Sequence, residues 1–143
     1  MFFMGTYTPK LDDKGRLILP AKFRDALAEG VVVTAGQEKC LNVFPADVFA
    51  RVAEQAQARG MTSRSGREQA RMLFSNAEEA TPDKQGRVPI PAHLRGYAAI
   101  TRDVVVTGVM DRVEIWEPAR WRDYQAGAQE SFSELDEDLP PHD

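Results

Sequence analysis

The sequence predicts an α+β fold made from one unit used twice. Three observations carry this. The segment Gly15-Arg16-Leu17-Ile18-Leu19-Pro20-Ala21-Lys22-Phe23-Arg24 returns as Gly86-Arg87-Val88-Pro89-Ile90-Pro91-Ala92-His93-Leu94-Arg95 at a constant offset of 71, with Asp12 falling on Asp83. Val31-Val32-Val33-Thr34 returns as Val104-Val105-Val106-Thr107 at offset 73, and Leu41-Asn42-Val43-Phe44 as Val113-Glu114-Ile115-Trp116 at offset 72, with Phe49 falling on Trp121. Each copy reads as turn, short strand, short helix and β-hairpin. A shared order at nearly fixed offset marks a tandem duplication, and its small drifts are those of loop insertions and deletions. Two copies fall short of a solenoid, which needs at least about three.

The elements follow in chain order. Asp12-Asp13-Lys14-Gly15 is a turn, with acids supplying local hydrogen bonds and glycine a positive φ. Residues 16–19 form a short β run, and Pro20 opens a helix over 21–28, where its missing N–H costs nothing. Gly30 stops that helix. Residues 31–34 and 40–44 are strands of a hairpin, with 35–39 as its loop. The second copy repeats this, with Asp111 in its hairpin turn. Its helix after Pro91 is expected to be shorter, because Gly96 interrupts it. A helix over 45–59 places Val48, Phe49, Val52, Ala53 and Ala56 on one stripe. Ser65-Gly66-Arg67-Glu68 reads as a capping box opening a further helix with Ala70, Leu73, Phe74 and Ala77 on one face. These two helices are expected to pair as a hairpin. From Pro118 a last helix presents Trp121, Tyr124 and Ala128. The boundary between the halves is expected near residues 76–80.

Composition bounds the class. With 143 residues, 43% hydrophobic and 28% charged, the chain suits one folded body or two very small ones. It is not a mainly disordered chain, a collagen or a coiled-coil rod. No apolar run approaches the roughly 18 residues of a membrane span. The opening Met1-Phe2-Phe3-Met4-Gly5 has no basic region and no long apolar region, so no signal peptide is expected. One cysteine and two histidines exclude an internal disulfide and make a nitrogen and sulfur metal cluster improbable, and a reducing cytoplasm is the default compartment. The net charge of −4 misleads. The last fourteen residues hold six acids and no Lys or Arg, so the remaining body carries +2. Such a tail reads as a solvated end; the sharper reading, a mimic of nucleic acid competing for a basic surface, is the weaker one.

The repeated chemistry is Asp-x-x-Gly-Arg: Asp12, Gly15 and Arg16, then Asp83, Gly86 and Arg87, with Lys14 and Lys84 in the loops. The glycine allows the tight turn. The arginine leaves where a strand begins, so its anchor is stiff. Arginine suits bidentate contact with phosphate or a guanine edge. The plain alternative is an exposed Asp–Arg turn bridge worth about 0–1 kcal/mol. For a single copy that alternative is preferred, but two copies suggest paired basic projections from a symmetric scaffold.

At these residues the chain resembles the MraZ family, within the wider AbrB-like superfamily. The resemblance rests on the opening Met-Phe…Gly-Thr-Tyr, Leu11-Asp12-Asp13-Lys14-Gly15-Arg16, Leu19-Pro20-Ala21-Lys22-Phe23-Arg24, Asp83-Lys84-Gln85-Gly86-Arg87 and Glu114-Ile115-Trp116. It covers the chain from Met1 to about Phe132. It implies two intertwined AbrB-like units of swapped-hairpin β-barrel type in one chain, with flanking helices and a helical hairpin between the halves. The expected division is residues 1–50 for the first half, 46–78 for the hairpin, 79–130 for the second half with its C-terminal helix, and 131–143 for an acidic, disordered tail. It further implies a regulator of the bacterial division and cell-wall gene cluster. That regulator would assemble as a closed, commonly octameric ring and bind direct repeats in double-stranded DNA at its own promoter, usually repressing it. Its place would be the cytoplasm, at the nucleoid. Carried over by position, Lys14, Arg16, Lys84 and Arg87 are the DNA contacts, and Asp12, Gly15, Asp83 and Gly86 organise the loops.

The second copy departs in two places. Pro89 stands where the first has Ile18, so its strand is expected at an edge or to meet its neighbour there only through carbonyls. His93 replaces Lys22, leaving the second unit less basic. Other chemistry finds little support. His93 lacks a catalytic constellation, Cys40 reads as a small buried residue, and no phosphate-loop, dinucleotide or nucleophile-elbow pattern occurs. The acids beside basic neighbours suit salt bridges better than general acid work, and Trp116 and Trp121 read as core. Phe2 and Phe3 need a covering surface, either a subunit interface or the chain's own first strand. The expectation is therefore a non-enzyme without cofactor, metal, membrane or small-molecule substrate. The alternatives are an AbrB-like antitoxin and a structural ring that binds a protein partner.

Overall fold

The structure, a computed structural model, describes residues 2–135. In chain order it runs β1 (Thr6–Tyr7), β2 (Arg16–Ile18), α1 (Ala21–Leu27), β3 (Val31–Ala35), β4 (Leu41–Pro45), α2 (Ala46–Gly60), α3 (Arg64–Ser75), β5 (Glu78–Ala80), β6 (Arg87–Pro89), α4 (Ala92–Ala98), β7 (Val105–Val109), β8 (Arg112–Trp116) and α5 (Pro118–Ser133). A single 3-10 turn at Gln37–Lys39 sits inside the first hairpin.

The strands form a six-stranded sheet, ordered β1-β7-β8-β4-β3-β5, and a two-stranded ribbon of β2 and β6. Each hairpin stays within its own copy, but the strand that opens each copy crosses to the other. Thus Thr6 of β1 pairs with Thr107 of β7, while Glu78 of β5 pairs with Val33 of β3. Tyr7 and Glu78 stand at the repeat offset of 71. Two pairings cross the approximate twofold axis. Leu17 faces Val88 in the ribbon and Asn42 faces Glu114 in the sheet, each residue opposite its own copy. The chain is therefore an α+β fold of duplicated, swapped-hairpin units.

The core repeats with the sequence. Leu17, Leu19, Phe23, Leu27, Val31, Val33, Leu41 and Val43 are buried with Val88, Ile90, Leu94, Ala98, Val104, Val106, Val113 and Ile115, their repeat partners, in one cluster. Burying each large aliphatic side chain stabilises by about 1.5–3 kcal/mol, so a single cluster drawn from both copies ties them together. Phe3 joins the cluster and meets Phe23 edge-on at 5.3 Å, as Tyr7 does at 5.4 Å. Phe3 is thus covered within the chain, by Phe23 of α1, whereas Phe2 stays 63% exposed. The two buried threonines are satisfied: Thr34 Oγ1 donates to the Leu73 carbonyl at 2.7 Å, and the Thr107 hydroxyl lies 3.3 Å from that of Thr6. On the outside, Phe44 packs on Phe49 as Trp116 packs on Trp121, the same aromatic pair in both copies.

Several expectations change. Ser65 does not cap α3. Ser63 does, accepting the Gly66 N–H at 3.0 Å, and the helix begins at Arg64. The cause is close packing where α2 meets α3: a Cβ on Gly66 would collide with the backbone carbonyl of Arg59, so the turn tightens and draws Ser65 and Gly66 into the first helical turn. Nor does Gly96 shorten the second short helix. Both α1 and α4 hold 7 residues, and α4 ends at Ala99 in the left-handed region, φ 56°. A Cβ on Gly96 would meet nothing within 4 Å, so the residue carries only its propensity cost of about 1 kcal/mol. β5 is a strand that the acids Glu78 and Glu79 concealed, and such charges suit an edge. β6, which contains Pro89, has β2 as its one partner strand. Helix α5 continues to Ser133, inside the stretch expected as tail. Residues 136–143 of that stretch lie outside the described residues.

Candidate functional site

Each Asp-x-x-Gly-Arg segment folds as the same clamp. In the first, the Gly15 N–H donates to the Asp12 carbonyl at 3.0 Å and the Asp12 N–H to the Arg16 carbonyl at 2.9 Å. Gly15 has φ +75°, so the loop is a turn closed by a glycine bulge. The Asp12 carboxylate stitches the interior. Oδ1 accepts the N–H groups of Lys14 and Arg16, both at 2.9 Å, and Oδ2 accepts Arg16 Nε at 2.7 Å. The second loop matches it: Asp83 Oδ1 accepts the N–H groups of Gln85 at 3.0 Å and Arg87 at 2.9 Å, and Oδ2 accepts Arg87 Nε at 2.7 Å. Gly86 has φ +78°. One carboxylate thus sets the turn and aims the arginine, and among the described residues the terminal Nη atoms of Arg16 and Arg87 make no hydrogen bond.

The ribbon register brings the two arginines together. Arg16 lies opposite Pro89 and Arg87 opposite Ile18, around the central Leu17–Val88 pair. Leu17 and Val88 are buried on the core face. Strand alternation then puts Arg16, Ile18, Arg87 and Pro89 on the other face, where Ile18 and Pro89 are exposed and both arginines are half-exposed. Arg16 and Arg87 are diagonal neighbours, a relation that spans about 7–8 Å. The lysines are less symmetric. Lys14 is the second residue after its aspartate and Lys84 the first, so their exposed ammonium groups leave the loops at different points.

The clamp also fixes charge. The Asp12 carboxyl is held below the usual carboxylate range, first by the Arg16 N–H, then by the Arg16 side chain and the Lys14 N–H, against some desolvation. Asp83 is lowered the same way by the N–H and side chain of Arg87 and the N–H of Gln85. The aspartates are therefore anions at neutral pH, held more by backbone N–H groups than by the basic side chains that the sequence emphasised.

Two residues at this site were not singled out from sequence. The ribbon is extended across the halves, with the Leu19 N–H donating to the Gly86 carbonyl at 2.9 Å and the Ile90 N–H to the Gly15 carbonyl at 2.9 Å. Over each glycine lies an arginine from the other copy's short helix. A Cβ on Gly15 would fall 2.7 Å from Arg95 Cζ, and one on Gly86 2.8 Å from Arg24 Nε. Arg24 and Arg95 are repeat partners at offset 71, and that pairing was the available signal.

The remaining candidates sit apart from the loops. Cys40 is buried, and desolvation first, then Glu114 and Glu38, push its thiol up to about 12. His93 is exposed, with Nε2 3.3 Å from the Asn76 carbonyl oxygen. Lys10 is exposed and lies 4.0 Å from the Asp103 carboxylate. Trp116 is buried, covered by Trp121 and Tyr124 of α5. Among the described residues no helix is long and apolar enough to cross a membrane.

Comparison with known proteins adds a family. A family model described as "MraZ protein, putative antitoxin-like" matches twice, over residues 2–72 and 73–140. A "Transcriptional regulator MraZ" from Nocardioides sp. is 65% identical over 142 residues, covering 99% of this chain and 98% of its own. Proteins of the same name from Salinispora arenicola and Micrococcus luteus are 55% and 54% identical over 139 residues, each covering 97% of this chain and 98% and 97% of their own. With its two successive matches and relatives more than half identical along nearly its whole length, the chain belongs to the MraZ family.

Proposed function

We propose that this chain is a sequence-specific double-stranded DNA-binding transcriptional regulator. It represses the division and cell-wall gene cluster through direct repeats in its own promoter, working at the nucleoid. The observation that carries this reading is the placement of Arg16 and Arg87, each held at Nε by its own aspartate, on one outer face of a two-stranded ribbon. The major groove admits a two-stranded ribbon, and arginine reads guanine edges there. Lys14 and Lys84 add phosphate contacts, which supply affinity and its salt dependence. The transcriptional naming of the relatives supports the same reading.

The DNA is held by a closed homo-oligomeric ring of this chain, in which several loop pairs act together and multiply their weak individual affinities. Exposed apolar side chains support self-association: Phe2 is 63%, Met4 69% and Met110 62% exposed around the β1 edge, and Met61 and Met72 are exposed on the α2–α3 hairpin. Direct repeats suit rotationally related subunits that meet successive sites in one orientation. In this reading Asp12, Gly15, Asp83 and Gly86 organise the loops.

The test is binding to a labelled fragment of the protein's own upstream region, beside a scrambled fragment, across a salt series. The expected result is preferential, salt-sensitive binding with several proteins per fragment, largely lost in Arg16→Ala while the assembly keeps its size. Equal binding to both fragments, or full affinity in a folded Arg16→Ala protein, would overturn the reading.

A further inference from the structure

Arg24 and Arg95 stand out because the loop clamp does not use them. Neither makes an ion pair among the described residues, although the loop arginines Arg16 and Arg87 both do. Arg95 is half-buried, yet its side chain makes no hydrogen bond among the described residues; its Nε, Cζ and Nη1 lie over the Cα of Gly15. Arg24 donates Nε to the Leu19 carbonyl at 3.0 Å, which lays its Cγ, Cδ and Nε over Gly86 and leaves its Nη atoms without a partner there. Both guanidinium groups keep donors without a protein acceptor among the described residues, and an anion takes such donors in charge-assisted hydrogen bonds.

Charge around the loops points the same way. In the first loop Arg16 matches Asp12 and Lys14 offsets the exposed Asp13, leaving Arg95 of the other copy beside Gly15. In the second, Asp83 is matched by Arg87, leaving Lys84 of one copy and Arg24 of the other beside Gly86. Both glycines have no side chain to separate the incoming guanidinium from the loop backbone. The arrangement occurs twice, related by the repeat.

We propose that Arg95 and Arg24 are DNA-backbone contacts supplied across the halves, Arg95 completing the loop of Lys14 and Arg16, and Arg24 completing the loop of Lys84 and Arg87. Each loop is then a composite site, and one half alone presents an incomplete one. The proposal rests on the DNA-binding reading above. A phosphate contact carries no sequence information of its own, so its loss weakens specific and scrambled DNA alike.

The experiment measures binding of full-length Arg95→Gln and Arg24→Gln to the upstream and scrambled fragments over a salt series, with Arg16→Ala as reference. Glutamine keeps a long side chain over the glycine and removes the charge; Arg95→Lys and Arg24→Lys restore charge without the planar group. Size-exclusion chromatography and thermal melting establish that each variant is folded and assembled. The expected result is an affinity loss of about tenfold on both fragments for each Gln variant. The slope of log K against log salt should fall by about 0.9 per protomer in contact, with the slope regained in the Lys variants. Unchanged affinity and slope in both Gln variants, while Arg16→Ala loses the upstream preference, would overturn the cross-half contacts and leave the DNA-binding reading standing. Lost affinity with an unchanged slope would make these arginines braces of the loops and likewise overturn the proposal. If the unaltered protein shows no preference for the upstream fragment, the DNA-binding reading itself fails, and this proposal with it.

Discussion

Leu17 and Val88 face each other at the centre of the β2–β6 ribbon, and each is the other's copy in the repeat. Both are buried, Leu17 completely, beneath the face that carries Arg16 and Arg87. The ribbon therefore ties the two halves into one core as well as displaying the two arginines. Leu17→Ala removes a fully buried side chain at this junction and should cost about 2–5 kcal/mol. Because the core is shared, the loss should appear equally in both halves. Urea unfolding followed by far-UV circular dichroism and by tryptophan fluorescence checks this, since both tryptophans, Trp116 and Trp121, belong to the second copy. The two probes should shift together. A fluorescence midpoint that stays in place while the dichroism moves would mean that the halves unfold separately.

The loop carboxylates give a pH dependence of definite sign. Asp12 and Asp83 have folded pKa values below the ordinary 3.8, chiefly because the N–H groups of Arg16 and Arg87 donate to them. A depressed folded pKa means that their contribution to stability is fully present above the unfolded value. It is lost as pH falls through the folded one. Carboxyl carbon resonances of both residues should titrate with midpoints below 3.8, and the Nε–H signals of Arg16 and Arg87 should move with the same midpoints. In Asp12→Asn the Arg16 signal should lose that titration while Arg87 keeps its own. A midpoint at or above the ordinary value would show that the clamp does not form in solution.

The duplication made the hairpins, the core positions and the Asp-x-x-Gly-Arg loops legible, because two copies report one local pattern twice. The exchange of opening strands was not legible from pattern alone. Thr6–Tyr7 and Glu78–Ala80 are short, carry no strong alternation, and have nothing local to say which hairpin they join; the shared core decides that. The α3 start is not legible in the sequence because Ser63 and Ser65 are both acceptable caps, and the choice rests on how closely Gly66 approaches the Arg59 carbonyl, a tertiary fact. At the loops, chemistry within five residues was readable. Arg24 and Arg95, about ten residues along the chain from the loops of their own copies, act on the opposite ones, and only the swapped topology brings them there.

That cross-half packing makes the two loop glycines separable by mutation. Gly15 has φ +75°, which costs a residue with a Cβ about 1–2 kcal/mol, and its Cβ would also strike the Arg95 guanidinium. Gly15→Ala should therefore destabilise by more than the backbone term alone. Adding Arg95→Ala removes the collision and leaves the backbone strain, so the double variant should be more stable than the sum of the single changes by about 0.5–3 kcal/mol. Adding Arg24→Ala instead should give simple additivity, because Arg24 lies over Gly86. The reverse holds for Gly86→Ala, which should couple to Arg24 and not to Arg95. Both couplings are set by how readily each arginine yields: Arg95 meets Gly15 with its far end, while Arg24 meets Gly86 with its stem, tethered through Nε to the Leu19 carbonyl. Thermal and urea unfolding of the two double-mutant cycles measure this directly. Coupling of Gly15 to Arg24 rather than Arg95, or none to either, would show that the helices guard the loops of their own copies and that the swapped arrangement is absent in solution.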